Sequence, residues 1–523
     1  MRRKGLLFAL GLVCAAGLFA PWLSSGSPAA EAPEVKLLTR EVSLGKRDPG
    51  MIVKDRFGEA LQLQVSRDMR RVAYPAKRGG KVFVVVDGVE GKEYDEIGWP
   101  WRVFSPNSQR VAYSANRGDK ELLVVDGVEG KEYDVVVVTE EDPLSLFSPD
   151  SRRVGYDAWR GGKKLLVLDG VEWNKYDYAC CIDFSPDSRR VAYDTQRGDK
   201  WLVVVDGVEG KKYVYTEGLV FSPDSQRVAY EGKRGDKELV VVDGVEGKKY
   251  EETDDLVFSP DSKRVAYRAE RDAEWLVVVD GVEGNKYDGI DQHSLFFSPD
   301  SRRVAYEAKR GGKWLVVVDG VEGKEYDLTG HPVFSPDSQR LAYEAKRADM
   351  WLVVVDGVEG KEYDAIGNLF FPFSPDSQRV AYQARRGDKW VVVVDGAEGK
   401  EYDEIGGYNP VFSPDGKRVA YQARRGDKEF VVVDGVEGKK YDEIGLYDPQ
   451  FSPDTQRVAY GAKRGDKWFV VVDGVEGKEY DNFLGGLAFE SPSQLHALAV
   501  RGDEFFRVEV EIVTPGAEPS VPK

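Results

Sequence analysis

Cysteine and histidine are scarce, with three of each in 523 residues. Cys14 lies inside an N-terminal apolar run, which leaves only the adjacent pair Cys180 and Cys181, and neighbouring cysteines close only a strained ring. A disulfide framework and a structural zinc site are therefore excluded. His293, His331 and His496 are scattered, with no carboxylate or cysteine at ligand spacing, so no metal and no cofactor is expected. Basic excess is missing too. The net charge is -17 and the pI about 5.0, with both signs recurring throughout, which argues against nucleic acid and anionic membrane surfaces as partners. No carboxylate pair stands apart from its neighbours for acid–base work, so no catalytic residue is expected and the chain reads as a non-enzyme.

Long apolar runs are absent except at the start. Arg2, Arg3 and Lys4 precede the stretch Leu6 to Ala20 and then small and polar residues to Ala32, the order of a secretory signal. Residues 1–32 are read as a signal peptide or an uncleaved N-terminal anchor, which would be the only membrane association, and residues 33–50 as a linker. The expected location is periplasmic or extracellular. The proline-containing segment 513–523 reads as a disordered tail.

What fills the remaining chain, residues 51–512, is one unit repeated. Phe-Ser-Pro recurs from Phe104 to Phe451 at intervals of 37 to 43 residues, with worn copies at Val65 and Phe489, for a total of about twelve. In the unit that follows Asn409, Pro410 to Ser413 reads as a first strand and Pro414-Asp415-Gly416 as a turn. Arg418 to Ala423 is the second strand, Arg425 to Lys428 a reversal, and Phe430 to Val433 a third strand apolar on both faces. Asp434-Gly435-Val436-Glu437-Gly438 is read as the next reversal and Lys440 to Ile444 as a polar fourth strand. Such a sheet cannot bury two faces alone, but copies stacked around an axis can.

The motif Phe-Ser-Pro-Asp-(Ser/Gly)-x-Arg-Val-Ala-Tyr resembles the WD-like repeats of TolB-type propellers and of prolyl-oligopeptidase-type propeller domains, over roughly residues 60–510. The resemblance implies an all-β propeller of four-stranded blades and no particular activity. Neither TolB's N-terminal α/β domain nor a Gly-x-Ser-x-Gly hydrolase elbow accompanies it.

A single closed ring is expected, the alternative being two six-bladed propellers in tandem. Sheets about 10 Å apart imply an inner-strand radius of about 12 Å for twelve blades and about 3 Å for six. No linker separates the sixth and seventh units, which favours one ring. Met51 to Lys54 is the expected closing strand, since the last unit lacks a fourth.

The connections between the fourth and first strands vary most. Strand alternation assigns them to the face that carries the Arg-Gly-Asp turns, and they hold Trp99, Trp101, Tyr178, Tyr215, His293, His331, Phe370, Phe371, Tyr408 and Tyr447. Aromatic side chains on a recognition surface give contact area at low entropic cost, so these ten are the candidate binding residues for a protein or peptide partner. The alternative is a glycan-binding propeller that uses the tryptophans opening the third strands, Trp201, Trp275, Trp314, Trp351, Trp390 and Trp468; an enzyme with an axial site ranks third. Arg-Gly-Asp, first at Arg117, alternates in its slot with Arg-Gly-Gly and Arg-Ala-Asp and so reads as hairpin chemistry rather than as a recognition motif.

Overall fold

The computed structural model describes residues 35–46, 63–98, 104–137, 146–173, 178–367 and 372–514. They form twelve antiparallel sheets with four-stranded paths and no α-helix. We call the sheets blades, numbered by their second strands from blade 1 (Val72–Arg78) to blade 12 (Gln494–Arg501).

Blade 11 shows why the sequence folds this way. Its strands are Glu443–Phe451, Val458–Arg464, Lys467–Val472 and Val475–Tyr480. In the third strand Val471 packs with Val458, Tyr460 and Phe451 against Ala420 and Val431 of blade 10. Val470 and Val472 point the other way, onto Phe483, Leu495 and Ala497 of blade 12. The alternation of a strand thus sends successive valines to opposite neighbours, which is why an unbroken apolar run is needed.

The turns differ from their sequence reading. Asp434 and Gly435 alone make the third reversal, with φ of 52° and 78°, the pattern of a two-residue type I′ hairpin. Val436–Glu437 already belongs to the fourth strand, and Tyr441 rejoins it by a bridge to Glu429. Glu443 and Ile444, expected in the fourth strand, instead open the next blade's first strand, where Ile444 pairs with Ala462.

The turn aspartate also holds the blades together. Asp434 accepts from Arg418 Nε and from the Val419 amide, both at 2.9 Å. Arg418 then reaches blade 11, donating to the Thr455 carbonyl at 3.0 Å and lying 5.3 Å over the Phe451 ring. Asp434→Ala strains a left-handed position by about 1 kcal/mol and orphans a buried amide for about 1–3 kcal/mol, so a loss of about 2–3 kcal/mol is expected. Asp434→Asn, which tolerates the same φ and keeps an acceptor, should lose about 1 kcal/mol, both losses being read from the denaturant midpoint in a urea titration.

The same clasp runs across the junction of blades 6 and 7. The Asp261 amide donates to Ser301 Oγ at 2.8 Å, matching Asp224 to Ser262 at 2.8 Å one blade earlier, and Arg264 covers Phe297 at 5.3 Å. Blade 12 meets blade 1 through Arg70–Glu490 at 2.7 Å and a shared core of Leu44, Val72, Tyr74, Leu498 and Phe505. The twelve blades therefore form one closed ring.

The closing strand is Lys36–Lys46, which pairs with the last strand, Glu504–Val513, from Lys36↔Val513 to Ser43↔Phe506. This corrects the reading of 33–50 as a linker. It also displaces Met51 to Lys54, which lie outside the described residues, from the closing role. Glu41 shows the equivalence: it receives Tyr480 at 2.7 Å and an ion pair from Arg501, as Glu476 receives Tyr441 at 3.1 Å and Arg464 at 2.6 Å. Residues 1–34 and 515–523, with the signal and most of the tail, lie outside the described residues.

Candidate axial site: acidic clefts between neighbouring blades

Neighbouring first strands lie close enough for a backbone amide of one to reach a short side chain of the next, as His293 N does to Asp255 Oδ2 at 2.9 Å. Neighbouring fourth strands are instead spanned by full-length tyrosines and lysines, such as Tyr250 and Lys248 to Glu283, both at 3.0 Å. The wedge narrows toward the first strands, so these face the axis.

Most first strands break register midway. In blade 11, Gly445 pairs with Gly461 and the next pair is Gln450 with Ala459. In blade 8, Leu328–Thr329 and Val333–Phe334 pair separately with the second strand, and Gly330 to Pro332 bulge out. In blades 7, 8, 10 and 11 the variable segments are therefore bulges in the strand nearest the axis rather than rim loops on the Arg-Gly-Asp face, which corrects their sequence assignment there.

The candidate residues scatter accordingly. Tyr178 opens the first strand of blade 4, wedged edge-on between Trp159 at 6.4 Å and Trp201 at 5.5 Å. Tyr215 donates to Glu238. His293 and His331 occupy the bulges of blades 7 and 8. Tyr408 and Tyr447 fall in the register breaks of blades 10 and 11; their side chains lie outside the description, as do Trp99, Trp101, Phe370 and Phe371. Among the described candidates, Tyr215 and His293 line one cleft.

Opposite the bulges lies a position that the sequence reading missed, the residue after the second-strand tyrosine in blades 1 to 11. It faces the next blade's first strand. From blade 3 to blade 8 it is Asp157, Asp194, Glu231, Arg268, Glu307 and Glu344, five acids and one arginine within an otherwise uniform strand. The signal was available: this is where nearly identical copies change chemistry, directly after a buried tyrosine. Asp157 pairs with Lys164 at 2.9 Å, and Asp194 accepts from Thr216 at 2.5 Å. Burial pushes the Asp194 carboxyl up to about 6.

Between blades 5 and 6, with His293 of blade 7 at its edge, is a cleft of about 750 Å³. Its carboxylates include Glu217, Glu231, Glu238, Glu252, Asp254 and Asp255. Lys233 neutralises Glu238 at 3.1 Å, and Arg268 pairs with Asp255 at 3.0 Å and with Asp254. His293 Nδ1 lies 3.1 Å from Asp255. Among the described residues Glu217, Glu231 and Glu252 have no ion-pair partner, although Arg268 acts on Glu252 through space. Burial, reinforced by Asp254 and Glu217, pushes the Glu231 carboxyl, 5% exposed, up to about 9. Thr253, 2% exposed, lines the same cleft with its hydroxyl unpartnered.

Between blades 7 and 8 is a second cleft of about 660 Å³, walled by Phe296, Trp314, Leu328 and Val333. At its polar end His331 Nδ1 lies 2.8 Å from Glu307 Oε1 and 3.9 Å from Asp291 Oδ2. The ligand atoms of all three lie within 4.8 Å of one another, which corrects the expectation that no histidine meets carboxylates at ligand spacing. Glu344 lines the same cleft, its carboxyl pushed up to about 7 by burial and by Glu307.

The hairpin reading of Arg-Gly-Asp fits the geometry, and lysines lie over several of the third-strand tryptophans. Arg425 of an Arg-Gly-Asp turn is bound to Glu437 at 3.0 Å and lies 5.2 Å over Tyr402, and Gly426 has the positive φ that the hairpin requires. Lys309, Lys346 and Lys463 cover Trp314, Trp351 and Trp468 at about 5.5 Å.

No family model and no curated protein matches the chain. Among solved structures, the Dos1 propeller is similar at 12% identity over 64% of this chain and 93% of its own, with a TM-score of 0.26. TolB from Acinetobacter baumannii shows 14% identity over 57% and 77%, at 0.22. The β-propeller domain of the Trilobed protease from Pyrococcus furiosus shows 12% over 66% and 96%, at 0.22. Scores this low carry no argument about function; the architecture stands on the sheet order and the junction bonds. The chain is a twelve-bladed β-propeller. Its copies are uniform in their turns and individual at the axis.

Proposed function

We propose that this propeller is an exported, non-enzymatic scaffold that holds a protein or peptide partner along its axial surface, with lysine or arginine side chains of the partner entering the cleft between blades 5 and 6. The observation that carries this reading is the charge imbalance there: acids outnumber cations, and among the described residues Glu217, Glu231 and Glu252 have no ion-pair partner in a space shared with the unpartnered Thr253 hydroxyl. A guanidinium or ammonium group supplies both the missing charge and a donor for that oxygen. The tryptophans do not support a glycan in the same way, because lysines occupy the ring faces that a sugar would stack on.

The test is fluorescence polarisation with a labelled oligo-arginine peptide and an acidic peptide of equal length. The basic peptide should bind, and the Glu217→Gln/Glu231→Gln double variant should weaken it at least tenfold, about 1.4 kcal/mol. A control at exposed Glu401→Gln should leave affinity unchanged. Equal loss in the control would show diffuse attraction to an acidic protein and sink the reading.

A further inference from the structure

A separate observation, independent of the cleft between blades 5 and 6, concerns His331. This chain has three histidines, and this one sits in an axial bulge with its Nδ1 aimed at two carboxylates from the preceding blade. We infer that His331 Nδ1, Glu307 and Asp291 form a binding site for a divalent first-row transition metal, with zinc or cobalt as the fitting ions.

The donors are spaced for it. Two ligands each about 2.1 Å from one ion can stand no more than about 4.2 Å apart, and the 2.8 and 3.9 Å separations of His331 from Glu307 and Asp291 fall inside that limit. One imidazole and two carboxylates suit zinc, cobalt, manganese or iron better than calcium or magnesium, which take oxygen alone.

The surroundings are those of a supported site. Glu307 is 3% exposed, and its second oxygen accepts from Thr329 Oγ1 at 2.6 Å, which fixes the carboxylate plane. The Phe296 ring meets the imidazole edge-on at 6.2 Å and restricts its rotation. The donors come from different blades, Asp291 and Glu307 from blade 7 and His331 from blade 8, so the ion would pin one inter-blade junction. Three protein donors leave further coordination positions facing the 660 Å³ cleft, open to an oxygen or nitrogen donor.

The experiment titrates the metal-free full chain with Co²⁺ alone and then Zn²⁺ alone, reading cobalt visible absorption and calorimetric stoichiometry. One tight equivalent is expected, displaced by Zn²⁺ but not by millimolar Mg²⁺ or Ca²⁺. His331→Ala and Asp291→Asn should each weaken it at least a hundredfold, and His293→Ala should leave it unchanged. Thr329→Val should weaken it about 10- to 100-fold through the Glu307 carboxylate alone. Asp291→Asn is partly exposed and keeps a testable variant if a buried one fails to fold. Loss of the ion to Mg²⁺, an unchanged equivalent in His331→Ala, or no tight equivalent at all would overturn the site.

Discussion

A chain that lacks residues up to Lys46 should unzip at blades 12 and 1 while blades 5 to 8 keep their protection. The strand Lys36–Lys46 supplies the fourth strand of blade 12, and Val35 and Leu44 bring two buried side chains to it. Burial of that kind is worth about 1.5–3 kcal/mol per residue, so about 3–6 kcal/mol of apolar stabilisation leaves with the segment. The loss is larger in kind than in amount. Each blade contacts only its neighbours, so a closed ring has no end to fray from, and one missing strand creates two. The ten-residue strand Glu504–Val513 becomes an unpaired edge with six of its ten side chains apolar, which invites strand pairing between molecules. Hydrogen exchange should show lost protection across 494–513 and 72–86 relative to a chain that begins at Glu34. Unchanged exchange at 504–513 would refute closure by this segment. Glu41→Ala isolates the polar part: Arg501 holds that carboxyl down at about 2, so its contribution is present above pH 4.5 and fades as pH falls toward 2.

The blade count was legible because the repeat imposes it. Phe-Ser-Pro, Val-Ala-Tyr and the triple valine each recur, and a doubly buried strand has few homes besides a stack of sheets. The ends of the fourth strand were not legible, because Gly438 was taken as turn chemistry. The true turn needs positive φ only at Asp434 and Gly435. Gly438 serves close approach instead: a Cβ there would meet the Val431 carbonyl at 3.0 Å, with the Tyr460 hydroxyl of the next blade at 3.8 Å. Sequence alone does not separate those two uses of glycine. The closing strand escaped notice for a related reason. Lys36, Thr39, Arg40 and Glu41 look like a solvated lead-in, yet an outer strand needs only one face covered and tolerates this charge.

The axial site was half legible. Variation in the first-strand segments drew attention to His293 and His331, but alternation placed those segments on a rim because a bulge within a strand leaves no signature in a single copy. The second-strand acids were discounted as repeated carboxylates. In fact Asp434 and Glu437 repeat around the ring with fixed partners, whereas Glu231 and Glu307 occupy a slot filled by Pro75 in blade 1 and Gly461 in blade 11. A slot that accepts proline, glycine, arginine and glutamate serves no common packing role. Each blade is free to use it differently.

Glu231→Gln should stabilise the junction of blades 5 and 6 at pH 8 and leave it unchanged at pH 4. The wild-type carboxyl is held up at about 9, chiefly by burial and then by Asp254, Glu217, Glu238 and Asp255. Its ordinary value is near 4.5. Between these limits the folded protein keeps a proton that the unfolded chain releases, so stability is full below pH 4.5 and declines as pH rises toward 9. One unit corresponds to about 1.4 kcal/mol, so the deficit at pH 7 to 8 is about 3–5 kcal/mol, and glutamine, which fills the same space without ionising, removes it. Asp194 and Glu344, pushed up to about 6 and 7, add slopes of the same sign at their own junctions. Hydrogen exchange of Val228–Arg234 and Glu252–Phe258 at the two pH values reads the junction directly. A cation that enters the cleft favours the ionised form, so the oligo-arginine peptide should expel this proton and bind more tightly as pH rises from 6 to 9. Stability and affinity should therefore run in opposite directions with pH, and Glu231→Gln should flatten both. A peptide affinity independent of pH in the wild type, or a pH slope of junction stability that survives the substitution, would remove Glu231 from the site.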